Sequence, residues 1–523
     1  MGENEAAAGD HEAARAIFAR LAADFPTVPT YRHGLAVSLQ SVGLSLDHLG
    51  RRAEAEAAYR QALGIHEKLA AEFPGEPEYR QGLANTHTNL GNLLDDLGQR
   101  EAAEALYRQA IAIGEQLAAD FPTVPAYRRK LATSHNNLGV LLDHLGKRGE
   151  AGTAYRRAMD IRAKLAADFP AEPEYRQELA GSHNNLGGVL IDVGRLEEAA
   201  AHYRQAIALG EKLAADFPAV PAYRQDLATR HINLGSALRD LGKREEAEAA
   251  LRQAVAIREK LATDFPTVPA YRRALADGHN NLGIVLMHLG KRPEAEAAYR
   301  QAIVIQEKLA ADFPAVPAHA VGLGGGYCNF GNLVQGGGQP EAALGWFQKA
   351  IATLEPVVAK EPRLVNAREY LCNSHLGRAT ALDDLGRHAE AARDWERAAE
   401  LDGGSRRATF RLRVFRNRND AAGGLAAAAE HEARNLTDAG ALYDAACNRA
   451  VCAAVIPQDP KTPAADAARL AREQADLAMA WLHKAVAAGY KRAGQIKRDK
   501  DFDALRERED FKELLAELEA KMK

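Results

Sequence analysis

One spacing governs this chain. The motif Phe-Pro-x-x-Pro-x-Tyr-Arg begins at Phe25, Phe73, Phe121, Phe169, Phe217 and Phe265, 48 residues apart each time; Phe313 continues the series and Pro362 marks a degenerate eighth copy. A glycine keeps the same interval at Gly50, Gly98, Gly146, Gly194, Gly242, Gly290, Gly338 and Gly386. A fixed period of this length means stacked supersecondary units, none of which can bury its own apolar surface alone. The guess of about three compact domains that 523 residues would suggest therefore does not apply.

Within each period proline and glycine punctuate the chain twice, which leaves two stretches with apolar residues at helical spacing. In residues 121–170, Pro125 suits a first helical turn, and a helix A is predicted from about Ala126 to Leu145. Gly146 closes it, because glycine takes the left-handed conformation without steric cost. A helix B then runs from near Arg148 to Asp168. Leu131, His135, Leu138, Gly139 and Leu142 line one face of helix A, and Ala151, Tyr155, Ala158 and Ile161 one face of helix B. Gly139 and Ala151 are small where two helices would cross closely, and Tyr155 supplies the bulk beside them.

Leu138, Gly139, Leu142, Gly146, Ala151, Tyr155 and Ala158 resemble the tetratricopeptide repeat (TPR) signature in identity and spacing, as do Leu90-Gly91 with Ala103, Tyr107 and Ala110, and Leu282-Gly283 with Ala295, Tyr299 and Ala302. The likeness spans roughly residues 10–402. His135 stands where that family often has Trp, and the proline that usually ends helix B is absent until Pro170, so helix B is extended. The extra length over the family's usual repeat of about 34 residues amounts to about two heptads, which keeps the apolar faces in phase. The unit looks like the longer repeats of kinesin light chains, and similar arrays follow serine/threonine kinase domains in bacteria. The resemblance implies an all-α fold, a right-handed α-α superhelix (TPR solenoid) with a C-terminal helical cap. It also implies a function in binding proteins.

The expected organisation is a partial repeat or cap over 1–26, eight helix pairs over 27–402, and a helical region over 403–523. Gly9 to Asp24 read as a shortened helix B without a preceding helix A. Gly322, Gly324, Gly325, Gly326, Gly336, Gly337 and Gly338 lower helix propensity in the seventh unit, where a kink or softness is expected. Beyond residue 403 helical patterns continue at about 406–417, 421–435, 438–455, 464–489 and 508–521.

A formal charge of −4 gives no field that favours nucleic acid or an anionic membrane. The arginines 406, 407, 411, 413, 416 and 418, interleaved with Phe410 and Phe415, could meet phosphates, but their spacing also suits a basic face over an aromatic seam, so nucleic acid is not expected. The acidic start lacks the regions of a secretory signal, and no run of about 18 apolar residues occurs. Cys328, Cys372, Cys447 and Cys452 form no C-x-x-C pair and read as buried small residues, which suits a reducing, cytoplasmic setting.

The polar feature that recurs is a column of asparagines in mid helix A: Asn89, Asn137, Asn185, Asn233, Asn281 and Asn329. Asparagine is a mediocre helix former, so its return at each copy points to hydrogen bonding. Seven residues on, and on the same helical face, stand Asp96, His144, Asp192, Asp240 and His288, with His48 in the corresponding place before the column begins. In the resembled family helix A lines the inner wall of the superhelix, and these positions map to it with Asn92, Asn136, Asn184 and Asn280. Two readings stand: amides that bind an extended peptide backbone in a groove, and amides that bridge adjacent repeats.

A second column, His87, His135, His183, His231, His279 and His375, invites a metal. Helices in contact lie about 8–10 Å apart, too far for imidazoles that must meet on one zinc, so packing histidines are expected. Gly322–Gly326 lack the strand and the Gly-Lys-Ser/Thr of a phosphate loop, and no catalytic signature is recognisable. The sequence thus predicts a non-enzymatic scaffold or adaptor without cofactor that takes a protein or peptide in its groove. Its rivals are self-assembly through the end faces and service as the regulatory arm of a separated kinase.

Overall fold

The computed structural model describes residues 2–402, 407–434 and 436–520. Its contacts divide it into two compact units, Met1–Asp264 and Phe265–Lys523. The first holds α1 (Gly2–Asp24) and five A/B pairs: α2 (Pro29–His48) with α3 (Arg52–Glu72), α4 (Pro77–Asp96) with α5 (Arg100–Asp120), α6 (Pro125–His144) with α7 (Arg148–Asp168), α8 (Pro173–Asp192) with α9 (Leu196–Asp216), and α10 (Pro221–Asp240) with α11 (Arg244–Asp264). The second holds α12 (Pro269–His288) with α13 (Arg292–Asp312), α14 (Pro317–Gln335) with α15 (Pro340–Lys360), and α16 (Val365–Asp384) with α17 (His388–Leu401). Then come α18 (Arg407–Asn417), α19 (Ala421–Glu432), α20 (Ala439–Val455), α21 (Ala464–Ala487), α22 (Ala493–Arg498) and α23 (Glu509–Ala520). Each unit is an all-α solenoid of stacked pairs, and the second continues into C-terminal helices.

The punctuation works as its chemistry requires. Proline opens each A helix from α2 to α14, and the residue before it is held extended, as its clash with the proline ring demands. At the other end Gly146 has φ of 72°, its N–H reaches Asp143 O at 2.8 Å, and Lys147 N–H reaches Leu142 O at 2.8 Å. This is the Schellman closure, and the glycines from Gly50 to Gly386 all share its positive φ. A Cβ on Gly146 would meet no atom within 4 Å, so an alanine there bears only backbone strain. Gly146→Ala is expected to lower stability by about 1 kcal/mol in a denaturant titration.

Between A and B, a Cβ on Gly139 would lie 2.8 Å from the Tyr155 ring, and Gly91, Gly187 and Gly283 meet Tyr107, Tyr203 and Tyr299 in the same way. The hairpin is tied again at its open end. Arg80 pairs with Asp120 at 2.8 Å, Arg128 with Asp168 at 2.6 Å, Arg176 with Asp216 at 2.7 Å and Arg272 with Asp312 at 3.2 Å, each joining the first turn of an A helix to the last residue of its B helix. The same guanidinium covers the next phenylalanine, with Arg128 6.0 Å from the Phe169 ring centre, while Phe169 packs on Tyr175 at 5.7 Å. The recurrent motif is therefore a clamp as well as a turn.

Two expectations need correction, and a third is extended. The glycine-rich α14 is a continuous helix from Pro317 to Gln335, because large side chains occupy the space its glycines leave. Leu354 lies against Gly324, Tyr370 against Gly325 and Phe347 against Gly331. Packing there outweighs intrinsic propensity. The first helix is not shortened: α1 has 23 residues against 21 in α3. In the C-terminal region the five predicted helices are present, with α22 and two 3-10 turns, Ile456–Gln458 and Lys500–Leu505, in addition. A core of Tyr443, Ala446, Met479, Leu482, Phe502, Phe511 and Leu514 joins α20, α21 and α23 with the Lys500–Leu505 turn, and a second of Leu412, Ala427, Ala428, Val451 and Cys452 joins α18 and α19 to α20.

Candidate binding surface on the A helices

Within each unit, consecutive A helices touch directly, as α2 does α4, α4 does α6 and α8 does α10, and as α12 does α14 and α14 does α16. Consecutive B helices share less contact. The A side is thus the inner wall of each unit, and it carries the asparagines.

Those asparagines form a ladder. In the first unit Asn89 Nδ2 donates to Gln40 Oε1 at 3.2 Å, Asn137 Nδ2 to Asn92 Oδ1 at 3.0 Å, Asn185 Nδ2 to Asn136 Oδ1 at 3.1 Å and Asn233 Nδ2 to Asn184 Oδ1 at 2.8 Å. In the second unit Asn329 Nδ2 donates to Asn280 Oδ1 at 3.0 Å. Every bond crosses from one repeat to the one before it. Asn281 holds the same place in the period on α12. Asn137 turns to Asn92 because the usual acceptor position holds the short Thr88, which instead meets Ser134 at 3.2 Å. Asn92 also accepts from Tyr107 OH at 2.7 Å, so the ladder is tied to the A/B core.

The bridging reading is therefore realised, and it leaves binding capacity over. Each donor asparagine uses one N–H and keeps a second N–H and its carbonyl; the acceptors Asn92, Asn136, Asn184 and Asn280 keep their NH2, while Gln40 spends its own on Thr86 Oγ1 at 2.8 Å. Between α4 and α6 these groups border a cleft of about 200 Å³ with Gln40, Gln81, Asn85, Thr88, Lys130 and Thr133. A second cleft of about 360 Å³ lies beside Asn329, Asn332 and Asn373 in the other unit. Gln40, Gln81, Asn85 and Thr133 escaped the sequence reading because they do not recur as one residue type; their signal was position in the period.

The charged column stands apart. His48, Asp96, His144, Asp192, Asp240 and His288 are exposed last residues of A helices, a heptad from the asparagines. His144 Nδ1 lies 3.5 Å from Asp95 of the preceding repeat, and Asp240 pairs with Arg239 at 2.9 Å.

The histidine column is packing. His87, His135, His231 and His375 are buried, and burial pushes His87 and His135 down to about 4. His183 and His279 are half-buried; burial and the neighbouring His202, whose Nδ1 is 2.9 Å away, bring His183 to about 4 as well. His375 Nδ1 meets Asp394 at 2.7 Å, and Asp394 also holds Arg378 at 2.6 Å.

The basic segment is spent on acids. Arg406 lies outside the described residues, as does the Arg407 side chain. Arg411 pairs with Glu430 at 2.6 Å and Arg418 with Glu396 at 2.8 Å, while Arg413 binds Asp501 and Arg416 binds Asp383 at 3.1 Å. All four cysteines are buried and free, as expected. Cys447, Asp499 and Asp501 come close enough to ring an ion, but their charges already have employment. Asp499 accepts from Tyr443 OH at 2.7 Å and from Asp501 N–H at 3.0 Å, Asp501 is matched by two arginines, and burial beside these acids drives the Cys447 thiol well up.

Tetratricopeptide repeat family models match residues 35–72, 83–122 and 131–171, residues 178–260, residues 276–309 and residues 373–397. The chain is a tetratricopeptide repeat protein. In this TPR array the matches begin inside the A helices, so part of the added length lies in their first turns. Solved structures similar to it include BtubC (BKLC) from P. vanneervenii, 22% identical over 49% of this chain and 92% of that one, with a TM-score of 0.40. The apo form of RapI is 12% identical over 73% and 97%, with a TM-score of 0.46, and YrrB is 18% identical over 48% and 98%, with a TM-score of 0.29. No curated protein matches in sequence. No helix among the described residues is long and apolar enough to cross a membrane.

Proposed function

We propose that this TPR protein is a non-catalytic scaffold that takes an extended peptide along the A-helix wall, with the asparagine ladder as its floor. The family is one of protein-interaction modules, which sets the class of partner. The observation that supports the site is the surplus of the ladder: after bridging the repeats, Asn89, Asn137, Asn185 and Asn233 still present amide donors and acceptors along the A-helix wall, and Asn89 and Asn137 do so beside a polar cleft. A peptide backbone needs both, at intervals, and has no demand for charge.

Ladder asparagines are poor test positions alone, since their loss also unties repeats. The test is a random-peptide display library panned on the purified chain, with selected peptides measured against a variant carrying Asn85→Ala and Thr133→Ala. Both residues border the cleft and neither belongs to the ladder. Affinity is expected to fall at least tenfold with an unchanged melting temperature. Adding Asn137→Ala, Asn185→Ala and Asn233→Ala should abolish binding and lower that temperature too. Selected peptides that bind both variants as well as the parent chain would overturn the assignment.

A further inference from the structure

Where a B helix of the first unit meets the next A helix, one place in the wall is filled by a side chain of the chain itself at four interfaces and left open at one. Phe18 fills it between α1 and α2, lying over Gly34, and His66 fills it between α3 and α4, lying over Gly82. Between α7 and α8 it holds the buried Arg162, whose Nη1 donates to Ser182 Oγ at 2.8 Å and to Glu178 O at 3.5 Å. Between α9 and α10 the B helix has Gly210, and the buried Arg230 comes in from the A helix instead, its Nη1 2.6 Å from where a Cβ on that glycine would stand. Between α5 and α6 both positions are small, Gly114 on one helix and Ser134 on the other. The three nearest atoms to a Cβ on Gly114 would all belong to Leu131, and the space above it is the cleft of about 200 Å³.

The filled copies define what the open one lacks. His66 Nδ1 meets Thr86 Oγ1 at 2.9 Å, and Thr86 donates its own proton to Gly82 O at 2.8 Å, so the imidazole is the donor. Arg162 likewise donates to the hydroxyl at that position of the period, Ser182. Beside Gly114 the hydroxyl is Ser134, which donates back to Lys130 O at 3.2 Å, so both oxygens are left as acceptors. Charge and shape narrow the occupant further. Arg162 and Arg230 face Glu178 and Asp226 at 3.7 Å, whereas Lys130 holds that place beside Gly114, and no acidic residue borders the cleft. A second cation would be desolvated beside a like charge, and a carboxylate has no proton for Ser134 or the Lys130 carbonyl. A ring posed like that of His66 is excluded too, since His66 Nε2 lies 2.5 Å from where a Cβ on Gly82 would stand and Lys130 has that Cβ. The side chain that donates without charge, is slim, and carries a carbonyl for the Lys130 ammonium is a carboxamide.

Building on the peptide-binding role proposed above, we infer that the socket over Gly114 takes the side-chain amide of a glutamine or asparagine in the bound peptide. The amide N–H bonds Ser134 Oγ and Lys130 O, as the Arg162 guanidinium bonds Ser182 Oγ and Glu178 O one repeat on. The asparagine ladder then reads the peptide backbone, and this one underfilled interface reads a side chain.

The test compares the residues that three purified full-length chains select from one random-peptide display library. The parent is expected to enrich glutamine or asparagine at one position of the aligned peptides at least fivefold over the input, and the longer or shorter of the two identifies the source of the amide. Gly114→Gln supplies the amide from within and should select peptides without that preference, at an unchanged or higher melting temperature because a helix-interior glycine is removed. Lys130→Glu recreates the acid found at Glu178 and should move the preference to arginine. Peptides selected by the parent without an amide preference, or the same preference after either substitution, overturn the inference and leave the wall a peptide site. A parent chain that selects no peptides overturns both.

Discussion

Lowering the pH from 7 to 5 is expected to strip several kcal/mol from the first unit while most carboxylates remain ionised. His66, His87, His135 and His183 are each pushed down to about 4 from an ordinary 6.5, with burial the largest cause in every case. His66 is further lowered by His33, His135 by Arg157 and His183 by His202. The sign follows from proton counting. Below pH 6.5 the unfolded chain takes up protons that the folded imidazoles refuse until about pH 4, so stability is present above 6.5 and is lost as pH falls toward 4. By pH 5 the loss is roughly 2 kcal/mol for each of His66, His87 and His135, and less for His183, whose greater exposure lets solvent screen the effect. The four stand in different repeats or on separate interfaces, so their effects should nearly add. Urea unfolding followed by circular dichroism at pH 7 and pH 5 reads the difference, and His87→Gln with His135→Gln should flatten the slope. Equal midpoints at the two values would mean that the buried imidazoles protonate in place.

The column from His87 to His375 was legible as packing because its members sit on separate A helices, too far apart to share one metal, and four of them are buried. The close pairs His183–His202 and His33–His66 involve residues outside that column and were not foreseen. The hairpin was legible for a similar reason: Pro125, Gly146, Gly139 and Tyr155 each act through local conformation or a fixed separation, and the period repeats the evidence. What the sequence concealed depends on who fills a space. The glycines of α14 read as softness until Leu354, Tyr370 and Phe347 are seen against them. The Arg128–Asp168 clamp was present in the letters, since an arginine after each tyrosine and an acid before each phenylalanine keep a constant interval of 40 residues. It was overlooked because proline made the motif read as a turn. The bridging reading was open in the letters, since Gln40, Asn136, Asn184 and Asn280 each stand 49 residues before their donor. What the letters hid is the turn of Asn137 to Asn92, forced where that place holds the short Thr88. The six-residue α22 is too short to show a period.

Replacing Tyr155 with alanine should cost about 3–5 kcal/mol, the range for deleting a buried aromatic ring that its surroundings cannot replace. The ring is 4% exposed and lies on Gly139, which has no side chain to lean into the void. Tyr155→Leu should cost clearly less, because the chain already uses that solution where Leu251 lies 2.9 Å from a Cβ placed on Gly235. Gly139→Ala approaches the same contact from the other side. It gains about 1 kcal/mol of helix propensity but drives a methyl into the ring, which costs about 1–3 kcal/mol, so the net sign is destabilising. Paired with Tyr155→Leu, the alanine should be tolerated better than alone, and a double-mutant cycle measures that coupling. Since each repeat leans only on its neighbours, hydrogen exchange in Tyr155→Ala should rise in α6 and α7 and in the flanking α5 and α8, while α2 stays protected. The cleft between α4 and α6 would then lose its wall, and with it the peptide affinity, though no residue that borders it had been changed. A Tyr155→Ala chain within about 1 kcal/mol of the parent would show that the two helices close over the gap, and the close-approach account of Gly139 would fall.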